Sequence, residues 1–449
     1  MRTMQNNYKY KDSGIEWLGE VPKEWIVIRS DSVTDYVRNQ INPEDIKSDT
    51  VFHYSIPIVQ ETGTGQLEPT EDLGSAKQLI TKKTILVSKL NPRKATICIA
   101  EPQDEVTICS SEFVAIKATK CVLEYLYYLV SSEMNRQRLD ARVQSVTRSH
   151  QRVYPSDIYR FWLALPGQDE QQAIVAFLDR ETARIDSLIQ KKERIIELLK
   201  EKRIALITQA VTKGLNPNVP MKDSGIEWLG EVPEHWGKKR IKDLLLPKKG
   251  AIKTGPFGSQ LLSSEMDDSD VKVYNQKSVI SKDFESGENY ISFKKLETLK
   301  EFQTYPGDFL ITTRGTIGRC AILPPDSETG ILHPCLMRLQ TNKEIVDDRF
   351  LELLIEESQV VIEQLKVKSN GTTIEVIYQD SLKNVTVFLP PIHEQLSIAD
   401  YSDMKTNKID LLIYQIETSI SLLHEYRASL IHHAVTGTID LRGYDAQAQ

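Results

Sequence analysis

The sequence predicts an α+β fold: two mixed α/β globular domains separated by two long helices that pair as an antiparallel coiled coil, pseudo-two-fold symmetric. Three observations predict it. A twelve-residue stretch occurs twice, a fifty-residue stretch occurs twice in diverged form, and the latter carries a narrow apolar stripe at helical spacing.

Internal repeats decide the architecture before any residue-level reading. Residues 11–22 read KDSGIEWLGEVP, and residues 222–233 repeat them letter for letter at an offset of 211, each copy followed by a tryptophan, Trp25 or Trp236. The longer repeat aligns 165–214 with 389–438 at an offset of 224, with 22 of 50 positions identical. The two offsets differ by 13, so the second intervening segment is longer by that much. The segments 26–150 and 237–375 share almost no identity, yet Thr84-Ile-Leu-Val-Ser88 stands where Asp308-Phe-Leu-Ile-Thr312 stands, which predicts one fold with two different surfaces.

The domain boundaries follow: 1–25, an N-terminal spacer segment completing the second repeat; 26–164, the first globular domain; 165–214, the central long helix; 215–236, the spacer repeat; 237–388, the second globular domain; 389–438, the distal long helix; and 439–449, a tail. Because nothing like the spacer follows the second helix, the N-terminal copy is expected to complete it. The chain would then be circularly closed, with its ends within about 15 Å by compactness scaling.

The helix starts are marked by Leu165-Pro166 and Leu389-Pro390-Pro391, since proline is disfavoured inside a helix and restricts the residue before it. Gly214 marks the first helix's end. The seam is Ile185, Ile189, Ile196, Leu199 and Leu206 in one copy, and Ile409, Ile413, Ile416, Ile420, Leu423 and Leu430 in the other. A stripe this narrow on a helix of about 40 residues, roughly 60 Å long, suits a coiled-coil seam better than a globular core. Lys192 and Arg203 interrupt it. In the globular segments, 84–88, 96–100, 112–118 and 385–389 read as short strands, while 123–139 and 348–365 read as amphipathic helices.

With 449 residues, 40% of them hydrophobic, the chain can bury two or three cores. Its N-terminus is polar and no window approaches about 18 consecutive apolar residues, so neither signal peptide nor membrane span is readable and a cytoplasmic location is expected. Five cysteines without a CxxC pair argue for reduced structural thiols over a disulfide framework or a thiolate zinc site. The net charge of -7 weighs against bulk electrostatic coating of nucleic acid.

Catalytic signatures are sparse. Gly250-Ala-Ile-Lys-Thr-Gly255 has the glycine spacing of a phosphate-binding loop, but Pro256-Phe257 follows where Lys-Ser/Thr belongs, so it reads as a loop. The eight histidines lack ligand spacing, and His432-His433 reads as a solvated helix face. No metal or catalytic residue is assigned.

Cationic loops are the positive signal. Residues 73–100 hold no acid but carry Lys77, Lys82, Lys83, Lys89, Arg93 and Lys94, and the stretch 134–156 sets Arg136, Arg138, Arg142, Arg148 and Arg152 against Asp140. Residues 244–264 carry Lys248, Lys249 and Lys253 without an acid. Phosphates need cations and base edges need bidentate side chains, arginine for guanine and Asn or Gln for adenine. The candidate DNA contacts are Lys89, Asn91, Arg93, Lys94, Arg148, Gln151 and Arg152 in the first segment. In the second they are Lys253, Gln260, Asn275, Gln276, Arg314, Thr316, Arg319, Asn370 and Thr372. The glycine-rich 254–259, 314–318 and 370–373 would let backbone approach a ligand closely.

The order of these parts, with LPxxxEQ at the head of each long helix and SGIEWLGEVPxxW in each spacer, resembles the DNA-specificity subunit of a type I restriction-modification system across essentially the whole chain. Gly307-Asp-Phe-Leu310 leading to Gly315-Thr-Ile-Gly318 resembles a further motif of that family; the first segment departs from it, with Lys83-Thr-Ile-Leu86 and Asn91-Pro-Arg-Lys94 in the corresponding places. The resemblance implies target-recognition domains that each read one half of an asymmetric bipartite site, with the helices setting the spacing. It implies no catalysis in this chain: two methyltransferase subunits carrying S-adenosylmethionine would dock on the helices, joined by restriction/translocase subunits using ATP and Mg. The partners expected are therefore double-stranded DNA and these subunits, with no membrane and no cofactor in this chain. Two other classes compete. A coiled-coil scaffold with unrelated globular ends explains the helices but not the basic loops, and a nuclease using Glu44, Asp45 and Lys47 rests on one short match.

Overall fold

The computed structural model describes residues 7–145, 151–227, 229–266, 270–287, 289–358, 360–368 and 376–444. Its contacts divide the chain into two compact units, Met1–Lys192 with Glu417–Gln449, and Glu193–Ile416.

In the first unit the globular segment opens on the strand Ile26–Arg29 and closes on Trp162–Leu165, paired antiparallel so that Ile26 faces Leu165. Between them a four-stranded antiparallel sheet runs in the order Ile97–Ala100, Thr84–Ser88, Phe113–Ala118, Thr34–Val37. Every residue of Thr84–Ser88 is buried, as expected of an apolar run covered on both faces. A second sheet runs Gln40–Ile41, Lys77–Leu79, Thr107–Ser110, Thr50–Tyr54, Gln66–Pro69, and only Thr107–Ser110 with Thr50–Tyr54 is parallel.

The second unit repeats this plan. Gly237–Arg240 pairs antiparallel with Thr386–Leu389. One sheet runs Ile252–Thr254, Leu336–Leu339, Phe309–Thr312, Cys320–Ile322, and the other again holds one parallel pair, Val271–Tyr274 with Gly330–Leu332. Part of the extra length forms the helix Phe293–Leu299, where the first segment has only the turn Thr70–Asp72.

Both expected amphipathic helices are broken. The stretch 123–139 becomes Leu123–Ser131 and Glu133–Asp140, because Ser132 leaves helical geometry (ψ 149°) and its hydroxyl caps the second helix by accepting from Asn135 N at 3.3 Å. The stretch 348–365 becomes Asp348–Glu352, a wider π turn Leu353–Glu357, and Val360–Lys368.

The long helices span Gln168–Lys213 and Ile392–Val435. In the first unit, Ile185 and Ile189 are buried in one core with Leu430, Ile431 and Ala434, and Ile420 and Leu423 pack against it. In the second, Ile207, Ala210 and Val211 share a core with Ile398 and Ala399. Rising numbers on one helix meet falling numbers on the other, so the pairing is antiparallel. Ile196 and Ile409 are also buried, whereas Leu199, Leu206, Ile413 and Ile416 are half-buried. Arg203 is not the flaw in the stripe that the sequence suggests. It pairs with Glu357 and, at 3.5 Å, with Asp410, and the repeat-equivalent residues Arg427 and Asp186 pair at 2.9 Å in the first unit.

The repeated motifs make repeated contacts. Glu170 accepts from Trp25 Nε1 at 3.1 Å, and Glu394 accepts from Trp236 Nε1 at 3.3 Å. Buried Gln171 donates to Pro166 O (2.8 Å) and accepts from Val122 N (2.8 Å); buried Gln395 donates to Pro390 O (2.9 Å) and accepts from Asp347 N (2.9 Å). Lys11 and Lys222 each reach the carbonyl of the spacer tryptophan at 2.7 Å. Trp25 and Trp236 are thus structural, Trp17 is half-buried near Phe161, and Trp228 lies outside the described residues. The helix ends pass through left-handed glycines, Gly214 (φ 74°) and Gly437 (φ 73°). At Gly437 a Cβ would sit 2.4 Å from Pro22 Cγ, so the end of the second helix is pressed on the N-terminal spacer. Arg442 lies 4.3 Å above the Tyr8 ring, and Tyr10 donates to Gly437 O at 2.9 Å. Residues 1–6 and 445–449, the two ends themselves, lie outside the described residues. All five cysteines are free, Cys98, Cys109 and Cys320 buried.

Candidate nucleic-acid interface

In the first unit the expected contacts gather on one loop pair. Asn91 N donates to Gln151 O at 2.9 Å, Val153 N donates to Lys89 O at 3.0 Å, and Leu90 bridges Arg152, so Lys89, Asn91, Gln151 and Arg152 lie side by side. Asn91 (φ 48°) and Ala95 (φ 44°) are left-handed without being glycine, and they bracket the turn Pro92–Lys94 that carries Arg93 and Lys94 outward. Backbone strain of this kind persists only where the surroundings enforce it. Several of these cations already have carboxylates: Arg93 holds Asp140 at 2.8 Å, Arg152 pairs with Glu112, and Lys89 lies 3.8 Å from Glu112. Burial, opposed by that carboxylate, holds the Lys89 ammonium below the usual lysine range. Arg138, from the same basic stretch, is buried against Asn135 and Phe161, and burial pushes its guanidinium down to about 10. Arg148 lies outside the described residues.

In the second unit Lys253, Gln260 and Arg314 line one cleft of about 480 Å³. Its glycine loop is fixed tightly. A Cβ on Gly255 would lie 2.2 Å from His333 O, and Phe257 and Gln260 bond each other twice, backbone to backbone and backbone to side chain, at 2.8 Å each. Arg314 bridges Val376, and Ile377 N donates to Thr313 O at 2.9 Å, which forms the opposite wall. Lys253 pairs with Glu301 and lies 4.7 Å over the Phe302 ring. Gln276 Nε2 donates to Thr316 O at 3.1 Å, joining those two candidates, whereas Asn275 caps its own helix by accepting from Ser278 N at 3.2 Å. Arg319 turns to the buried Glu356 carboxylate at 3.0 Å. Asn370 and Thr372 lie outside the described residues.

Around this cleft, Lys248 and Lys249 come from the acid-free stretch 244–264 noted in the sequence, whereas Lys242, Lys300, Lys383 and Tyr378 were not singled out from it. A groove of about 830 Å³ beside the cleft is lined by Lys242, Lys248, Lys249, Lys300 and Lys383, drawn from four separate stretches of chain. Phe257 and Tyr378 stand at the cleft with 75% and 65% exposure. The proline-glycine setting of Phe257 was the one available signal, since a large ring in a tight turn has little to pack on.

Glu44 and Asp45 sit on the surface turn Pro43–Asp45, where Asp45 accepts from Asn42 at 3.3 Å. Among the described residues no group of three His, Cys, Asp or Glu could hold a metal ion. The 250–255 stretch is partly strand, Ile252–Thr254, held by Leu336–Leu339. His433 is exposed and His432 half-buried. Among the described residues no helix is long and apolar enough to cross a membrane.

Comparison with known proteins gives one consistent result. The family model described as the type I restriction modification DNA specificity domain matches residues 22–198 and 233–421. A putative type I restriction enzyme MjaX specificity subunit from Methanocaldococcus jannaschii is 22% identical over 452 aligned residues, covering 97% of this chain and 98% of that one. The EcoBI specificity subunit from Escherichia coli is 24% identical over 358 residues, covering 77% of this chain and 71% of that one. A chain solved in work on complex assembly and conformational transition of the type I R-M system superposes with a TM-score of 0.66 over 95% of this chain and 99% of that one; at 17% identity it speaks for the fold.

Proposed function

This chain belongs to the family of type I restriction-modification DNA-specificity subunits, which are non-catalytic, and from that premise we propose that it reads an asymmetric, two-part DNA sequence, one half with each globular segment. The observation that carries this is the pairing of sameness with difference. The Glu-Gln heads of the long helices make matching contacts in both units, while the loops carrying Lys89 to Arg152 and Lys253 to Arg319 share neither sequence nor partners. A repeated frame with two unlike reading surfaces suits a target whose halves differ.

The long helices fix the spacing between halves and dock two adenine methyltransferase subunits, which bring S-adenosylmethionine. Restriction/translocase subunits bring ATP and Mg, and the assembly works in the cytoplasm. The chain's net charge of -7 supports a shared grip, with partners supplying most of the phosphate contacts. The isolated chain therefore binds DNA weakly. Mapping methylated adenines in host DNA with and without this gene tests the reading: a single split motif should vanish on deletion. An unchanged methylation map would overturn it.

A further inference from the structure

We propose that the cleft between Phe257 and Tyr378 is a nucleobase pocket, which receives one base of the second segment's half-site after that base has left the DNA stack. The proposal rests on the two-part reading above and adds a binding site within it.

Three observations carry it. First, Phe257 is held out by a rigid support. Its turn is closed twice by Gln260 and pinned by Gly255 against the His333 carbonyl, yet the ring itself is 75% exposed. A large apolar ring displayed on a fixed turn is poorly placed for stability and well placed to enter a base stack. Second, Tyr378 faces the same cleft at 65% exposure, and the cleft's roughly 480 Å³ lies within the range that encloses a small planar ligand. Extruded bases are characteristically held by stacking on aromatic or apolar side chains and by hydrogen bonds to their pairing edge. Third, Arg314 and the Gln260 amide supply such polar groups, and Arg314 has no carboxylate partner among the described residues. The lysine groove adjoins the cleft, sharing Lys253 and Glu301 with it, so a sugar-phosphate strand lying along Lys248 and Lys249 would bring its bases to this opening.

The test uses the full chain assembled with its host's methyltransferase subunits, on duplexes carrying the mapped site, with a single mismatch stepped through both halves. At the position whose base enters the cleft, the mismatch removes the pairing that must be broken and tightens binding by about tenfold or more. A 2-aminopurine placed there brightens on binding. Phe257→Ala combined with Tyr378→Ala abolishes both effects while leaving thermal stability unchanged, since both rings are exposed. Mismatches at the adenines that the methyltransferase subunits extrude tighten binding with or without the two rings; mismatch effects that are uniform along the site, or tightening at any other position that survives the double substitution, overturn the proposal. If the fully paired site is not bound at all, the two-part reading itself fails and the pocket with it.

Discussion

Arg427 on the second long helix holds the carboxylate of Asp186 on the first at 2.9 Å, and the repeat places the same two residue types at Arg203 and Asp410, which meet at 3.5 Å. The contact is reciprocal: each copy gives the arginine once and the aspartate once. These pairs are partly exposed, so each contributes on the order of 0.2–1 kcal/mol. Reversing one charge, Asp186→Arg, should lower the urea midpoint, and adding Arg427→Asp should recover most of the loss. No recovery in the double variant would mean that the helices are not in this register.

Gln395 has more at stake because it is buried and bonded at both ends of its amide. Gln395→Ala strands a main-chain donor and acceptors away from water, a loss of about 1–3 kcal/mol. Gln171→Ala should cost a similar amount, and denaturant titration of the two variants checks whether the anchors are equivalent.

Gly437 and Gly443 are both left-handed, at φ 73° and 71°, but a Cβ meets Pro22 and Trp25 at the first and nothing within 4 Å at the second. Gly443→Ala should therefore cost about 1–2 kcal/mol from backbone strain alone. Gly437→Ala should cost more, and should raise proteolytic cleavage of residues 7–25. Equal melting temperatures would refute the packing described here.

His53 sets a pH limit on the first globular segment. Burial holds its imidazole below the usual value of 6.5, outweighing the Glu68 carboxylate 2.5 Å away. The unfolded chain thus takes up the proton first, and stability present above pH 6.5 should fall as the pH drops below it. Thermal melts of wild type and His53→Gln between pH 5 and 8 should diverge on the acid side only.

Lys248 and Lys249 line the cationic groove and form no ion pair among the described residues. If they hold phosphates, each Lys→Ala change should reduce the slope of log affinity against log salt in the assembled complex by about one. The preferred sequence should not change.

The parts legible in sequence are those whose cause is local or repeated. Thr84–Ser88 could be found because a doubly covered strand must be apolar throughout, and the long helices because prolines mark their starts and a stripe runs along them. Ser132 was not legible as a break, since a serine inside an amphipathic pattern is unremarkable until its hydroxyl is seen capping the next helix. Arg203 looked like a defect because its partners, Glu357 and Asp410, are far away in the chain, although aligning the two copies places Asp and Arg in the same columns of both. In the candidate DNA-contact loops the cations were visible as composition. Their neutralisation by Glu112, Asp140 and Glu301 was not, because those carboxylates come from elsewhere in the chain.

The strand pairs Ile26–Arg29 with Trp162–Leu165, and Gly237–Arg240 with Thr386–Leu389, act as sockets. Each globular segment leaves and rejoins the chain at neighbouring positions, so its interior can be transplanted as a cassette by matching two short strands. On the two-part reading proposed above, a new target half is then acquired in one recombination, with the helices, the tryptophan anchors and the other globular segment left untouched.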